Sequence, residues 1–218
     1  MPTFDNYSAD GRQVSRGYPP LLNDLLTSSL GHPQTIVNEG IGGTVSAQGV
    51  TIISTLLAQH ERSQHFLVQY GINDTSNFMP VPSGKGLTPA APDYPGTFKH
   101  NMQQIIDAVQ AAGKEIYLGK PPVMLANNSV DGPPFDNIDS SNTLIREYGA
   151  VLDELVVEND IALTATDFYE LFDEIITSGP NIDKPRYEVE YFDYLHPNGT
   201  GYQSIANLWY QKLMEITK

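Results

Sequence analysis

The sequence has no cysteine. Disulfide frameworks, thiol nucleophiles, zinc–thiolate sites and iron–sulfur clusters are therefore excluded, and the redox compartment stays open. Basic residues are scarce: 12 Lys and Arg stand against 26 Asp and Glu, for a formal net charge of −14. A nucleic-acid partner needs a basic footprint, and an anionic membrane surface attracts one, so neither is expected here. No apolar run approaches the ~18 residues needed to span a bilayer. The opening MPTFDNYSADGRQVSRGYPP lacks the charged and apolar regions of a signal peptide, so none is expected, and localisation is left open.

What is present suits one globular unit. At 218 residues with 40% hydrophobic side chains, the chain can bury a core, and a single domain over 1–218 with an irregular segment at 1–17 is expected. Beyond residue 18, helical and strand patterns alternate. Leu21, Leu22, Leu25, Leu26 and Leu30 form a helical stripe closed by Gly31, with two prolines suited to its start. Further helices are predicted at about 47–60, at 97–112, through Leu144, Tyr148, Val151 and Leu155, in DFYELFDEII, and at 201–216. Strands are predicted at 34–38 (QTIVN), 66–70 (FLVQY), 115–119 (EIYLG) and 161–166 (IALTAT). Residues 71–96 read as a long loop with five prolines, and 177–197 as irregular. Strands separated by helices imply parallel crossovers, hence an α/β class and a three-layer α/β/α sandwich with ligands beyond the carboxyl ends of the strands.

Three motifs follow predicted strands or precede the last helix: Gly40-Ile41-Gly42-Gly43-Thr44, Gly71-Ile72-Asn73-Asp74 and Asp193-Tyr194-Leu195-His196-Pro197. Alone, each has a bland reading: a backbone turn, an Asn-Asp turn, a structural histidine. Together they have a chemistry. Three residues apart, the Asp193 carboxylate can face the His196 ring and hold a general base in one tautomer. Gly43 offers a backbone N–H with no side chain in the way, and Asn73 a side-chain NH₂, as an oxyanion hole requires. All four residues are expected at the carboxyl edge of the sheet, facing one cleft. A general base works only when neutral, and free imidazole titrates near ~6.5, so any activity that uses His196 as its base is expected to fall as the pH drops through that region.

In this order the motifs resemble the SGNH hydrolases, also called GDSL esterases and lipases, over nearly the whole chain. Gly17-Tyr18-Pro19-Pro20 and Lys120-Pro121-Pro122 add lesser similarities. The resemblance implies a flavodoxin-like parallel sheet and a two-step acyl transfer on short acyl, aryl or acetylated-sugar esters, with no metal or organic cofactor. It makes His196 the base, Asp193 its acid partner, and Gly43 and Asn73 the oxyanion donors. The loop 74–96, with Phe78, Met79 and Tyr94, would wall the pocket.

One block of the family's pattern is missing. No Gly-Asp-Ser occurs, and no apolar strand precedes Tyr18. The resemblance therefore implies that the first central strand is missing or replaced, and that the nucleophile is unassigned. No serine hydroxyl is expected in the family's nucleophile position: the upstream serines Ser8 and Ser15 read as ordinary solvated loop serines, and Ser8, next to Ala9, Asp10 and Gly11, is the local substitute to test. The gap could be closed by shifting strands together, by residues 1–7, or by a second chain through strand exchange in a homodimer. Two functions stay open: an ester hydrolase, and a non-catalytic protein that holds a carbohydrate or lipid ligand in the same cleft. A nucleotide module using the glycine turn as a phosphate cradle is disfavoured by the absence of a basic partner and of G-x-G-x-x-G spacing.

Overall fold

The computed structural model describes residues 17–76, 95–125, 138–193 and 195–216. Two compact units divide the chain: Gly43–Met124 with Val130–Tyr169, and Met1–Gly42 with Leu125–Ser129 and Glu170–Lys218.

The first of these units holds the sheet. Its elements are α2 (Ser46–Gln59), β1 (His65–Gln69), α3 (Ile72–Ser76), α4 (Phe98–Ala111), β2 (Glu115–Lys120), α5 (Ile138–Glu158) and β3 (Thr166–Asp167); α6 (Phe168–Asp173) follows β3 directly, with its residues from Glu170 on belonging to the other unit. Among the described residues the strands form one parallel sheet in the order β1-β2-β3, with His65 opposite Glu115 and Gly119 opposite Thr166. Parallel neighbours need helical crossovers, which α4 and α5 supply. The Thr97 Oγ1 caps α4 by accepting the His100 N–H at 3.2 Å. Phe98, Met102, Ile105, Ile106 and Val109 then recur on one face, and all are buried. They meet Ile116 and Leu118 of β2 and Tyr148, Val151, Leu152 and Leu155 of α5 in one core. Burying such side chains is worth about 1.5–3 kcal/mol each.

The other unit is helical among its described residues: α1 (Tyr18–Leu30), α7 (Tyr187–Glu190) and α8 (Gly199–Leu213). Gly31, left-handed at φ 73°, stops α1 and returns its N–H to the Thr27 carbonyl. Helices α1 and α8 pack together, burying Leu22 and Leu26 of one and Tyr202, Ile205 and Trp209 of the other. Burial pushes the Tyr18 hydroxyl up to about 12, against a hydrogen bond with Trp209.

The expected parallel α/β class is what the structure has, with four local departures. Residues 34–38 are not a strand: the Gln34 N–H goes to Thr27 Oγ1 at 3.0 Å and the Ile36 N–H to Asn23 Oδ1 at 3.1 Å, so side chains of α1 take the amides a sheet would need. Residues 161–165 are not a strand either. Asp160 turns left-handed at φ 50° and the Ile161 N–H bonds back to the Val156 carbonyl at 3.0 Å, leaving only Thr166–Asp167 to pair. The predicted loop 71–96 begins with helix α3, and the predicted irregular stretch 177–197 contains α7, an antiparallel bridge of Tyr191 with Pro197, and Pro185, which bridges to Ile175 before it. Residues 1–16 and 77–94, with Ser8, Ser15, Phe78, Met79 and Tyr94, lie outside the described residues.

Candidate active site

The segment between α7 and α8 is built around one carboxylate. Asp193 Oδ1 accepts the backbone N–H groups of Leu195 and His196, each at 2.7 Å, and Oδ2 lies 2.8 Å from His196 Nδ1. The Phe192 N–H closes the loop on the His196 carbonyl at 2.8 Å. Beneath it Tyr191 meets the Phe172 ring edge to face, centroids 4.8 Å apart, and Arg186 ties Glu174 and Glu190 together at 2.8 and 2.9 Å. Helix α8 starts on Asn198, whose Oδ1 accepts the N–H groups of Thr200 and Gly201 and whose amide donates to the Val189 carbonyl at 2.8 Å. A Cβ at Gly201 would drive into the Glu190 carbonyl, so only glycine lets α8 begin against α7.

This geometry fixes the histidine's chemistry. An ionised carboxylate can only accept, so Nδ1 carries the proton and the neutral ring keeps its lone pair on Nε2. Burial pushes the Asp193 carboxyl up, but hydrogen bonds from the His196 ring and from the His196 and Leu195 amides outweigh it and hold the group below the usual range. Both side chains keep solvent contact, 22% for His196 and 27% for Asp193. The expected pair is thus formed.

In the sheet unit, Gly43 and Asn73 are brought close through Thr44. Gly43 sits at φ 76°, where a side chain would be strained, and the space its Cβ would occupy is open. The Asn73 amide donates to the Thr44 carbonyl at 3.0 Å, and the Tyr70 hydroxyl hydrogen-bonds Thr44. Gly49 of α2 makes room for Tyr70, whose ring lies 2.7 Å from where a Cβ would stand. Asp74 lies wholly buried beneath. It accepts Ser46 Oγ at 2.5 Å, the Ser46 N–H at 3.0 and 3.2 Å, and the Gly71 N–H at 3.1 Å. Asn101 of α4 donates to Ser46 Oγ at 3.0 Å. Burial raises the Asp74 carboxyl despite these hydrogen bonds.

Sequence reasoning read Asp74 as half of an Asn-Asp turn and passed over Ser46 and Asn101. The available signal was weak: a carboxylate directly after the candidate donor Asn73, with a serine three residues after Gly43. Among the described residues no group of three His, Asp or Glu side chains could hold a metal ion, and no helix is long and apolar enough to cross a membrane.

Residues 4–204 match the GDSL-like lipase/acylhydrolase family. Among solved structures, the psychrotrophic esterase EstA from Pseudoalteromonas sp. is similar at TM-score 0.64 and 18% identity, covering 97% of this chain and 93% of that one. The acetylxylan esterase Axe2 from Geobacillus stearothermophilus gives 0.62 and 17%, covering 92% and 82%. The acetyl xylan esterase AlAXEase gives 0.58 and 17%, covering 89% of each chain. At these identities the likeness is one of fold. No curated protein sequence matches the chain.

Proposed function

The chain belongs to the GDSL-like lipase/acylhydrolase family, and from that premise we propose that it is a carboxylic-ester hydrolase acting on short acyl, aryl or acetylated-sugar esters. This is the SGNH group that its motifs resemble. The observation carrying the proposal is the 2.8 Å contact between His196 Nδ1 and Asp193, which orients the ring for Nε2 to act as the base. His196 Nε2 takes the proton of the attacking hydroxyl as that oxygen bonds the ester carbonyl carbon, and returns it to the departing alkoxide. Asp193 orients the ring and stabilises the imidazolium. The Gly43 N–H and the Asn73 amide serve as donors to the oxyanion; one such donor is typically worth ~10²–10³ in turnover. The acetyl xylan esterases among the similar folds support a small acyl group and a sugar alcohol as substrate.

The source of the attacking hydroxyl stays unassigned, since no Gly-Asp-Ser occurs in the chain; Ser8 is the local substitute to test. The test pairs p-nitrophenyl acetate hydrolysis by the wild type and by His196→Ala with fluorophosphonate labelling read by peptide mass spectrometry. Turnover lost with the histidine, by about 10³-fold or more, supports the enzyme. Equal background in both proteins refutes it and favours a binding protein, the reading that the missing Gly-Asp-Ser motif keeps alive. An adduct on Ser8 identifies the nucleophile; hydrolysis without any adduct transfers the attack to water.

A further inference from the structure

We propose that Asp74 is the positioning residue of the oxyanion donors: its carboxylate binds the turn that carries Gly43 to the strand-end turn that carries Asn73, and so sets the spacing at which both donors meet substrate oxygen. The inference rests on the reading of Gly43 and Asn73 given above. The two turns are far apart in the chain, and the Ser46–Asp74 bonds span 28 residues. A neighbouring link between them is the single Asn73 amide bond to Thr44, which would hold distance but not orientation. Asp74 adds three donors on two oxygens: Oδ1 takes Ser46 Oγ and the Ser46 N–H, and Oδ2 takes the Gly71 N–H and shares the Ser46 N–H. Gly71 opens the turn bearing Asn73, and Ser46 closes the turn bearing Gly43. Asn101 extends the chain of bonds into α4 through Ser46 Oγ. Ser46 and Asp74 are fully buried and Asn101 nearly so, so water does not compete for these bonds.

The chemistry calls for a carboxylate. An amide at this position would turn an NH₂ group against a backbone N–H in either orientation, because both oxygens accept from one. Ser46 is also the first residue of α2, where the helix's exposed N–H groups favour a negative charge. The side chain touches no reacting atom; it acts through the two donors. Displacing a catalytic group by ~1 Å can cost ~10²-fold, so the effect belongs in turnover and not in substrate binding.

The experiment compares the full chain with Asp74→Asn and with Ser46→Ala, which keeps the carboxylate and both backbone bonds. Three readouts are taken: kcat and KM on p-nitrophenyl acetate, cooperativity of thermal unfolding, and the NMR signals of the Gly43 backbone amide and the Asn73 side-chain amide. Asp74→Asn is expected to unfold cooperatively, to lose kcat by about 30- to 100-fold with KM within about threefold, and to shift both amide signals. Ser46→Ala is expected to lose about three- to tenfold in kcat. A purely structural role would lower the unfolding temperature and leave the kcat–KM split unmoved; that result, or unmoved amide signals, overturns the proposal. If Asp74→Asn does not fold, Ser46→Ala decides alone, and an unchanged kcat overturns it. If the wild type shows no His196-dependent hydrolysis, the ester reading fails by itself. The clamp is then judged on the amide signals, their shift supporting it and their constancy refuting it.

Discussion

Asp193 and Asp74 each accept two backbone N–H groups and at least one side-chain donor, yet their carboxyls move in opposite directions. Asp193 is held below the usual range and Asp74 above it. Two backbone N–H groups are common to both, so the difference lies in solvent and in the third partner, an imidazole that adds an electrostatic attraction to Asp193 and a neutral hydroxyl on Asp74. Asp193 keeps 27% of its side-chain exposure, while Asp74 has none. With some water left, three hydrogen bonds exceed the desolvation penalty; with none, they do not. In the helical unit the result is a charged carboxylate beside an imidazole, the arrangement that the proposed base would need. In the sheet unit it is a group suited to holding two turns together.

The contrast predicts where each substitution will be felt. The largest effect is on turnover: Asp193→Asn should lower kcat for p-nitrophenyl acetate by about 10³–10⁴-fold, because the ring loses its enforced tautomer, with only a small fall in the urea midpoint. A variant that loses stability in proportion to activity would erase the distinction between the two aspartates. Next comes Asp74→Ala, expected to cost about 3 kcal/mol of unfolding free energy, since it leaves several buried donors without an acceptor. A loss under ~1 kcal/mol, measured by chemical denaturation, would mean that the site fills with water. Smaller again is Asn198→Ala, which removes the cap of α8 and should cost about 1 kcal/mol; it should also disturb the neighbouring Asp193 loop more than the Asp74 network, as chemical-shift changes would report.

The smallest effect is in pH dependence, and its sign differs between the two. Asp193, with its folded value lowered, contributes stability that is present above the ordinary carboxylate value and is lost as pH falls through the folded value. Asp74, with its folded value raised, carries a penalty above that folded value, relieved as pH falls back through it. Asp193→Asn should therefore flatten the acid limb of stability below about pH 4, whereas Asp74→Asn should remove a decline as pH rises above about 4. Denaturation midpoints from pH 3 to 7 for the three proteins check this. Parallel curves would show that the two carboxyls do not differ as described.

Local signals carried a good part of this molecule. The stripe Phe98, Met102, Ile105, Ile106, Val109 announced α4 because a helix repeats its face every three to four residues, and all five are buried. The run EIYLG announced β2, whose Ile116, Tyr117 and Leu118 are buried as a central strand demands. The Asp193–His196 pair was legible because both groups lie on one short loop, where spacing alone brings carboxylate to ring. Residues 34–38 misled because an apolar, β-branched run is necessary for a strand but does not supply a partner. Here Thr27 and Asn23 took its amides first. Residues 161–165 misled for a related reason: the end of α5 reclaimed the Ile161 N–H.

Spacing along the chain thus sufficed for the helices α1, α4 and α8, for the parallel α/β class, and for the Asp193–His196 contact, since each depends on neighbours within a turn or on the length of a crossover. Asp74 did not yield to that logic. Its partners come from Ser46, Gly71 and, through Ser46, Asn101 on α4, and its raised carboxyl comes from the packing of the elements around it. Desolvation sums over every atom that replaces water near a group, and those atoms are set by which elements the fold stacks together, which no stretch of sequence around Asp74 records.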